Sequence, residues 1–152
     1  MVRVHYFRAH IVRSLADALN TESGRVYTDA LVRHWRIYRR HGHWLSRKAA
    51  SKLQDAELGP ATLLHSHSLD AAREGFYNAC KTAGECRKQG LDNKYPYRRK
   101  RFRTTVWKNT AIRKDDNALL LSLARGNEPI QVRLPAGLCD LPADAFREVK
   151  LV

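Results

Sequence analysis

The sequence predicts an α+β fold: a small β-barrel or curled sheet with helices inserted after its first strand. Three observations predict it. Apolar residues alternate over a short N-terminal run, then recur at three- and four-residue steps until about residue 90. After about residue 110 they return to short alternating runs. With 152 residues and 43% hydrophobic side chains, the chain can build a core for one domain or for two small interlocked ones.

Val2, Val4 and Tyr6 fall on one side of the opening run and Arg3, His5 and Phe7 on the other, which reads as a strand over residues 2–8. Helix follows from about Val12. Its apolar stripe is Leu15, Leu19 and Val26, then Tyr27, Ala30, Leu31, Trp35 and Tyr38, while Arg25, Arg33, Arg36, Arg39 and Arg40 occupy the opposite face. Gly24 is expected to bend or restart this helix, and Gly42 to end it. Ser46 caps a second helix through Leu53, presenting Arg47, Lys48 and Lys52, and Gly59–Pro60 interrupts. A third helix opens near Ser66 or Ser68, with Asp70 in its first turn and Leu69, Ala72, Phe76, Ala79 and Ala83 as its stripe; it ends by Gly90. Residues 111–113, 118–124, 130–134 and 147–152 read as strands, separated by turns at Asp115-Asp116-Asn117 and Gly126-Asn127. The chain stops at Val152 inside an apolar alternating run. It reads there either as one piece of a larger assembly or as a barrel completed by its terminal strand.

The formal net charge is +13. Such an excess repels itself in the folded state, and binding a polyanion is the usual compensation. Residues 1–60 carry 11 Lys/Arg against 5 Asp/Glu and residues 91–110 carry 7 against 1, whereas residues 111–152 carry 6 against 6, which places the binding face in the first two thirds. An anionic membrane is the other candidate, but no lipid anchor or basic amphipathic helix stands out, and no apolar run approaches the roughly 20 residues that span a bilayer. Three cysteines, Cys80, Cys86 and Cys139, are an odd number without paired spacing, which suggests a reducing compartment: cytoplasmic, or nuclear in a eukaryote.

The stretch from Lys94 to Lys108 is the most unusual. It holds seven basic residues and no acid, interleaved with Tyr95, Tyr97, Phe102 and Trp107. Lys and Arg neutralise phosphates and release counterions, and aromatic faces stack on unpaired bases. Arg98, Arg99, Lys100, Arg101 and Arg103 are therefore the leading phosphate contacts, with Tyr97 beside them. The alternative is a solvated loop whose aromatics anchor the core, Trp107 above all. Arg33, Arg36, Arg39 and Arg40 lack evident balancing acids on their helix; phosphate contact and plain solvation both stay open for that face.

No catalytic or metal centre is legible. His41/His43, His65/His67 and Cys80/Cys86 match no paired zinc-ligand spacing. Asp115 and Asp116 are adjacent in a turn and point apart, and Asp140, Asp144 and Glu148 surround a Leu-Pro loop, so no carboxylate cluster for a two-metal nuclease emerges. There is no glycine-rich phosphate loop and no activated nucleophile pattern.

The order of these features resembles the N-terminal half of the OrfB/TnpB family, the RNA-guided nucleases of bacterial insertion sequences and relatives of type V CRISPR effectors. The resemblance runs through the opening strand, Gly24-Arg25-Val26-Tyr27 and Tyr38, Leu45-Ser46, Ser68-Leu69-Asp70-Ala71-Ala72, and Phe76-Tyr77-Asn78. It continues through Tyr95-Pro96-Tyr97-Arg98-Arg99-Lys100 and Pro129-Ile130-Gln131-Val132-Arg133-Leu134-Pro135. The Leu-Tyr-Pro-Thr usual after the first strand is absent. The resemblance implies an OB-like wedge barrel from residues 1–9 and 91–152, with a helical recognition domain from residues 10–90. It implies binding of a guide or scaffold RNA and reading of a short target-adjacent DNA motif by the positions aligned with Arg47, Ser51, Thr62, Ser66, Lys108 and Asn109, with Lys48 alongside. The family's RuvC nuclease domain and zinc finger would follow residue 152, so no catalytic residue and no cofactor is expected in this chain. Magnesium would belong to the nuclease domain, supplied by a partner chain. Self-association stays open. Two other readings remain: a stand-alone DNA-binding protein, such as a nuclease-less repressor or transposon accessory protein, and a structural RNA-binding protein.

Overall fold

The computed structural model describes residues 1–58 and 62–152, and within them the fold is α+β. Three helices, α1 (Arg13–His41), α2 (Arg47–Leu58) and α3 (Ser66–Lys88), precede four strands, β1 (Thr105–Lys108), β2 (Ile112–Asp115), β3 (Ala118–Leu121) and β4 (Ile130–Arg133). A one-turn helix α4 (Ala136–Cys139) and strand β5 (Glu148–Leu151) follow. Among the described residues no helix is long and apolar enough to cross a membrane.

α1 runs unbroken for 29 residues. Gly24 neither bends nor restarts it. It is buried where an extended segment crosses the helix, and a Cβ there would stand 2.5 Å from the carbonyl oxygen of Arg101. Gly42 closes the helix at φ +63°, a left-handed turn that glycine adopts without penalty, and its amide donates to the Tyr38 carbonyl. Ser46 Oγ accepts from the Ala49 amide at 3.2 Å as the expected cap of α2. That helix continues past Leu53 to Leu58, and the expected Gly59–Pro60 break lies outside the described residues. α3 opens at Ser66, where the His65 imidazole accepts the His67 amide, and it ends two residues before Gly90.

α1 and α3 pack along Tyr27, Ala30, Leu31, Phe76 and Cys80. α2 is tied to both. Buried Gln54 donates to the Val26 carbonyl at 2.9 Å, and buried Arg73 on α3 pairs with Asp55 and Asp70. Burying a guanidinium is tolerable only with such partners.

The strands form two antiparallel sheets, β1 with β5 and a β2-β3-β4 meander. Asp116 takes φ +44° in the two-residue turn between β2 and β3, a conformation Asp tolerates better than most residues. Trp107 on β1 is fully buried, and its indole donates to the Ser122 carbonyl at 2.8 Å. Around it Leu19, Val26, Leu64 and Ala72 from the helical region meet Ile112, Leu119, Leu121, Ile130 and Val132 from the sheet, so both halves share one core.

Two expectations are corrected. The opening run over residues 2–8 is not a strand: residues 1–10 are exposed and join no sheet among the described residues. Alternation supplies a face but not a partner, and the place beside β1 is taken by β5. Neither sheet closes into a barrel. β1 itself, inside the basic stretch, carried no separate strand signal.

The Gly24 contact yields a test. Glycine to alanine inside a helix ordinarily stabilises by about 0.5–1 kcal/mol. Gly84→Ala on α3, whose Cβ would meet only the Tyr95 hydroxyl at 3.4 Å, is expected to do so. Gly24→Ala is expected to destabilise by about 1–3 kcal/mol, because backbone must move. Urea denaturation of the two variants should show opposite signs.

Candidate nucleic-acid interface

Residues 94–104 have no regular secondary structure, yet their backbone is held antiparallel along α1. Near the C-terminal end of α1, the Trp35 indole donates to the Pro96 carbonyl at 2.9 Å. The Thr28 hydroxyl accepts the Lys100 amide at 2.9 Å and donates to the Lys100 carbonyl at 3.0 Å. Gly24 admits the Arg101 carbonyl. The Asn20 carbonyl accepts the Arg103 amide at 2.9 Å, and the Asn20 side chain accepts both the amide and hydroxyl of Thr105 at 3.0 and 2.9 Å. These bonds turn the strap's backbone inward. Arg98, Arg99, Lys100 and Arg101 are exposed, and among the described residues none of them is ion-paired.

The same geometry sorts the interleaved aromatics. Tyr97 and Phe102 are 60% and 54% exposed. Tyr95 is half-buried against Trp35 and Trp44, and Trp107 is core. Arg103 differs from its neighbours. It reaches back between α1 and α3, with its guanidinium 4.6 Å from the Tyr27 ring centre and against Gly75. Burial lowers its pKa, and its role there is packing.

Across the strap from Arg99 lies the arginine face of α1. Arg36, Arg39 and Arg40, together with Tyr97 and Arg99, rim a groove of about 360 Å³ whose floor is Leu31, Val32 and Trp35. No acid lines it. Arg33, one turn earlier, points elsewhere: Glu57 of α2 holds it at 2.6 Å and Asp29 at 3.3 Å, and it stays firmly protonated, chiefly through its bond to Glu57. The expectation that Arg33 lacks a balancing acid is thus corrected. Asp29 sits at i−4, and Glu57 arrives from another helix.

A second cavity, of about 480 Å³, lies between α2, α3 and β1. It gathers Arg47, Ser51 and Lys108 from the motif-reading set together with the candidate Lys48, but Thr62, Ser66 and Asn109 stand outside its lining. Glu74 accepts from Arg47 and from Lys108, both at 2.7 Å. The Lys108 bond is the larger cause of its depressed pKa, so Glu74 is a carboxylate at neutral pH. Lys52, Asp55, Asp70 and His67 complete the wall. A cavity with both charge signs suits base edges or a mixed partner better than a bare phosphate. Glu74 escaped the sequence reading. His67, Asp70 and Glu74 share one face by helical spacing, but nothing local says what that face meets. Among the described residues no three His, Cys, Asp or Glu side chains gather to hold a metal ion. The three cysteines are free thiols, and burial pushes Cys80 up to about 11.

Beneath the groove floor, His34 is fully buried, 3.3 Å from the Tyr77 hydroxyl and ringed by Trp35, Trp44, Phe76 and Tyr77. Burial lowers its pKa, so the unfolded chain takes up its proton first. The stability that neutral His34 contributes is complete above the unfolded value of about 6.5 and is lost as pH falls below it, with a slope of at most about 1.4 kcal/mol per pH unit. Urea midpoints measured from pH 7.5 to 5 should fall for the native chain and fall less steeply for His34→Gln.

No family model, no curated protein and no solved structure matches the chain.

Proposed function

We propose that this chain is the nucleic-acid-binding part of an RNA-guided DNA endonuclease, holding a guide RNA and recognising a short DNA motif beside the target. The single observation that carries nucleic-acid binding is the strap. Four consecutive cationic side chains, Arg98 to Arg101, are exposed and among the described residues have no carboxylate partner, on a backbone fixed to α1. Flexible solvated lysines would need no such anchoring. A row of guanidinium groups at fixed spacing is what a phosphate backbone recognises. The RNA-guided part of the proposal draws on the family resemblance of the sequence, including its wedge, for which the two small sheets around Trp107 are the support. The cavity holding Arg47, Ser51 and Lys108 is the place where motif reading would occur. Cleavage, on this reading, falls to a RuvC-type nuclease domain beyond residues 1–152, in which magnesium would act.

Electrophoretic and anisotropy titrations at graded salt test the core of this. Arg98→Gln/Arg99→Gln/Arg101→Gln should lower the slope of log K against log salt by about 2–3 for duplex or single-stranded partners. Arg33→Gln, whose charge is already paired, should leave the slope within about half a unit of native. Unchanged slopes in the triple variant would remove the strap from the interface. Sequencing the nucleic acid that co-purifies decides among the finer readings. A structured non-coding RNA supports the guide-RNA proposal, ribosomal RNA a structural RNA-binding protein, and specific duplex without RNA a repressor.

A further inference from the structure

We infer that the groove between α1 and the strap is a seat for an unpaired nucleotide, selecting single-stranded over duplex nucleic acid. This rests on the nucleic-acid reading above and goes beyond it, because the strap alone would grip either form. The groove is concave, whereas reading a duplex requires an element that protrudes into a groove roughly 12 Å wide. Its volume, about 360 Å³, lies at the small-ligand end of binding cavities, enough for one nucleoside-sized group. Its floor is apolar (Leu31, Val32 and the Trp35 ring), as the face of a base requires and a hydrated phosphate does not.

Its rim supplies the phosphate contacts. Arg36 stands one helical turn before Arg39 and Arg40 on one bank, with Arg99 on the other; among the described residues none of the four is ion-paired and no acid lines the cavity. Tyr97 lies at the edge of the groove with its ring mostly in solvent. Its backbone is fixed by the preceding residue, because the Trp35 indole holds the Pro96 carbonyl. The stacking surface is therefore placed before any ligand arrives, which limits the ordering entropy lost on binding. A base between Tyr97 and the floor, with flanking phosphates on the two arginine banks, uses every feature of the cavity.

The test is fluorescence anisotropy with labelled oligo-dT, oligo-U and a blunt DNA hairpin, on the full chain. Tyr97 is exposed, so Tyr97→Ala should fold, and its unfolding midpoint verifies that. It should weaken both single strands roughly tenfold at fixed salt while changing hairpin affinity less than about twofold. The salt slope should be unchanged, and Tyr97→Phe should bind like native. A Tyr97→Ala protein that keeps single strands at native affinity overturns the nucleotide seat. So does an equal loss for hairpin and single strand, or displacement of oligo-dT by polyglutamate at matched charge. If the seat fails in one of these ways but the strap triple variant still loses nucleic acid, the wider reading stands. If the native chain binds none of the probes, both fall. The ratio of oligo-dT to oligo-U affinity identifies DNA or RNA as the source of the base.

Discussion

The line of hydrogen bonds between α1 and the strap, from Asn20 through Thr28 to Trp35, is the constraint on which the rest depends. A segment with four successive cations has no reason to collapse onto a helix that itself carries a row of arginines; Coulomb repulsion opposes it. It lies there because its backbone groups are satisfied by side chains of α1, and because Gly24 removes the one Cβ that would hold the two backbones apart. Unsatisfied backbone groups are costly and unlike charges are not required to meet them, so main-chain bonding can hold together two surfaces that electrostatics would separate. The repulsion that remains would be relieved by an anion placed between them, as the proposed function requires.

The placement of the carboxylates follows the same logic. Glu57 ties α2 to Arg33 of α1 beside Asp29, Glu74 ties α3 to Arg47 of α2 and Lys108 of β1, and Asp55 ties α2 to Arg73 of α3 beside Asp70. These acids neutralise cations that hold elements together. Among the described residues the groove and strap have none. The excess of +13 is therefore not a uniform coat. Part of it stands unpaired around the groove and along the strap, and cations of one sign gathered there strengthen the local field.

Much of the architecture was legible because it is written in local chemistry. Gly42, Ser46 and the turn at Asp116 mark element ends through backbone conformation or a capping hydroxyl, which act over a few residues. The helical stripes around Phe76 and Leu31 were equally readable from spacing. What escaped depends on distant partners. The run at residues 2–8 has a strand's alternation but no sheet edge to join, and no local signal reveals that. Gly24 looked like a weak point because its partner lies 77 positions away at Arg101. Arg103 and Arg101 are indistinguishable in the sequence, yet Arg103 is half-buried over the Tyr27 ring and against Gly75 while Arg101 is exposed, because only Arg103 meets a gap that a distant glycine leaves open.

The candidate site was thus half legible. Its residue types were visible, but their division into two cavities was not. Arg36, Arg39 and Arg40 belong with Tyr97 and Arg99, about sixty positions later, while Arg47 and Lys48 belong with Lys108. The two cavities differ in chemistry as well as place. One is purely cationic over an apolar floor; the other mixes Arg47, Lys48 and Lys108 with Asp55, Asp70 and Glu74. A cavity without carboxylates can gain counterion release from each phosphate it meets, whereas one in which Arg47 and Lys108 are already paired with Glu74 must first give up those pairs and gains less from them. The first should therefore set affinity and its salt dependence, and the second can contribute only through the shape and hydrogen-bonding pattern of what enters it. On the proposed function, holding any strand firmly and distinguishing one short sequence would be separate tasks, and the two cavities, one between α1 and the strap and the other between α2, α3 and β1, are separate places for them.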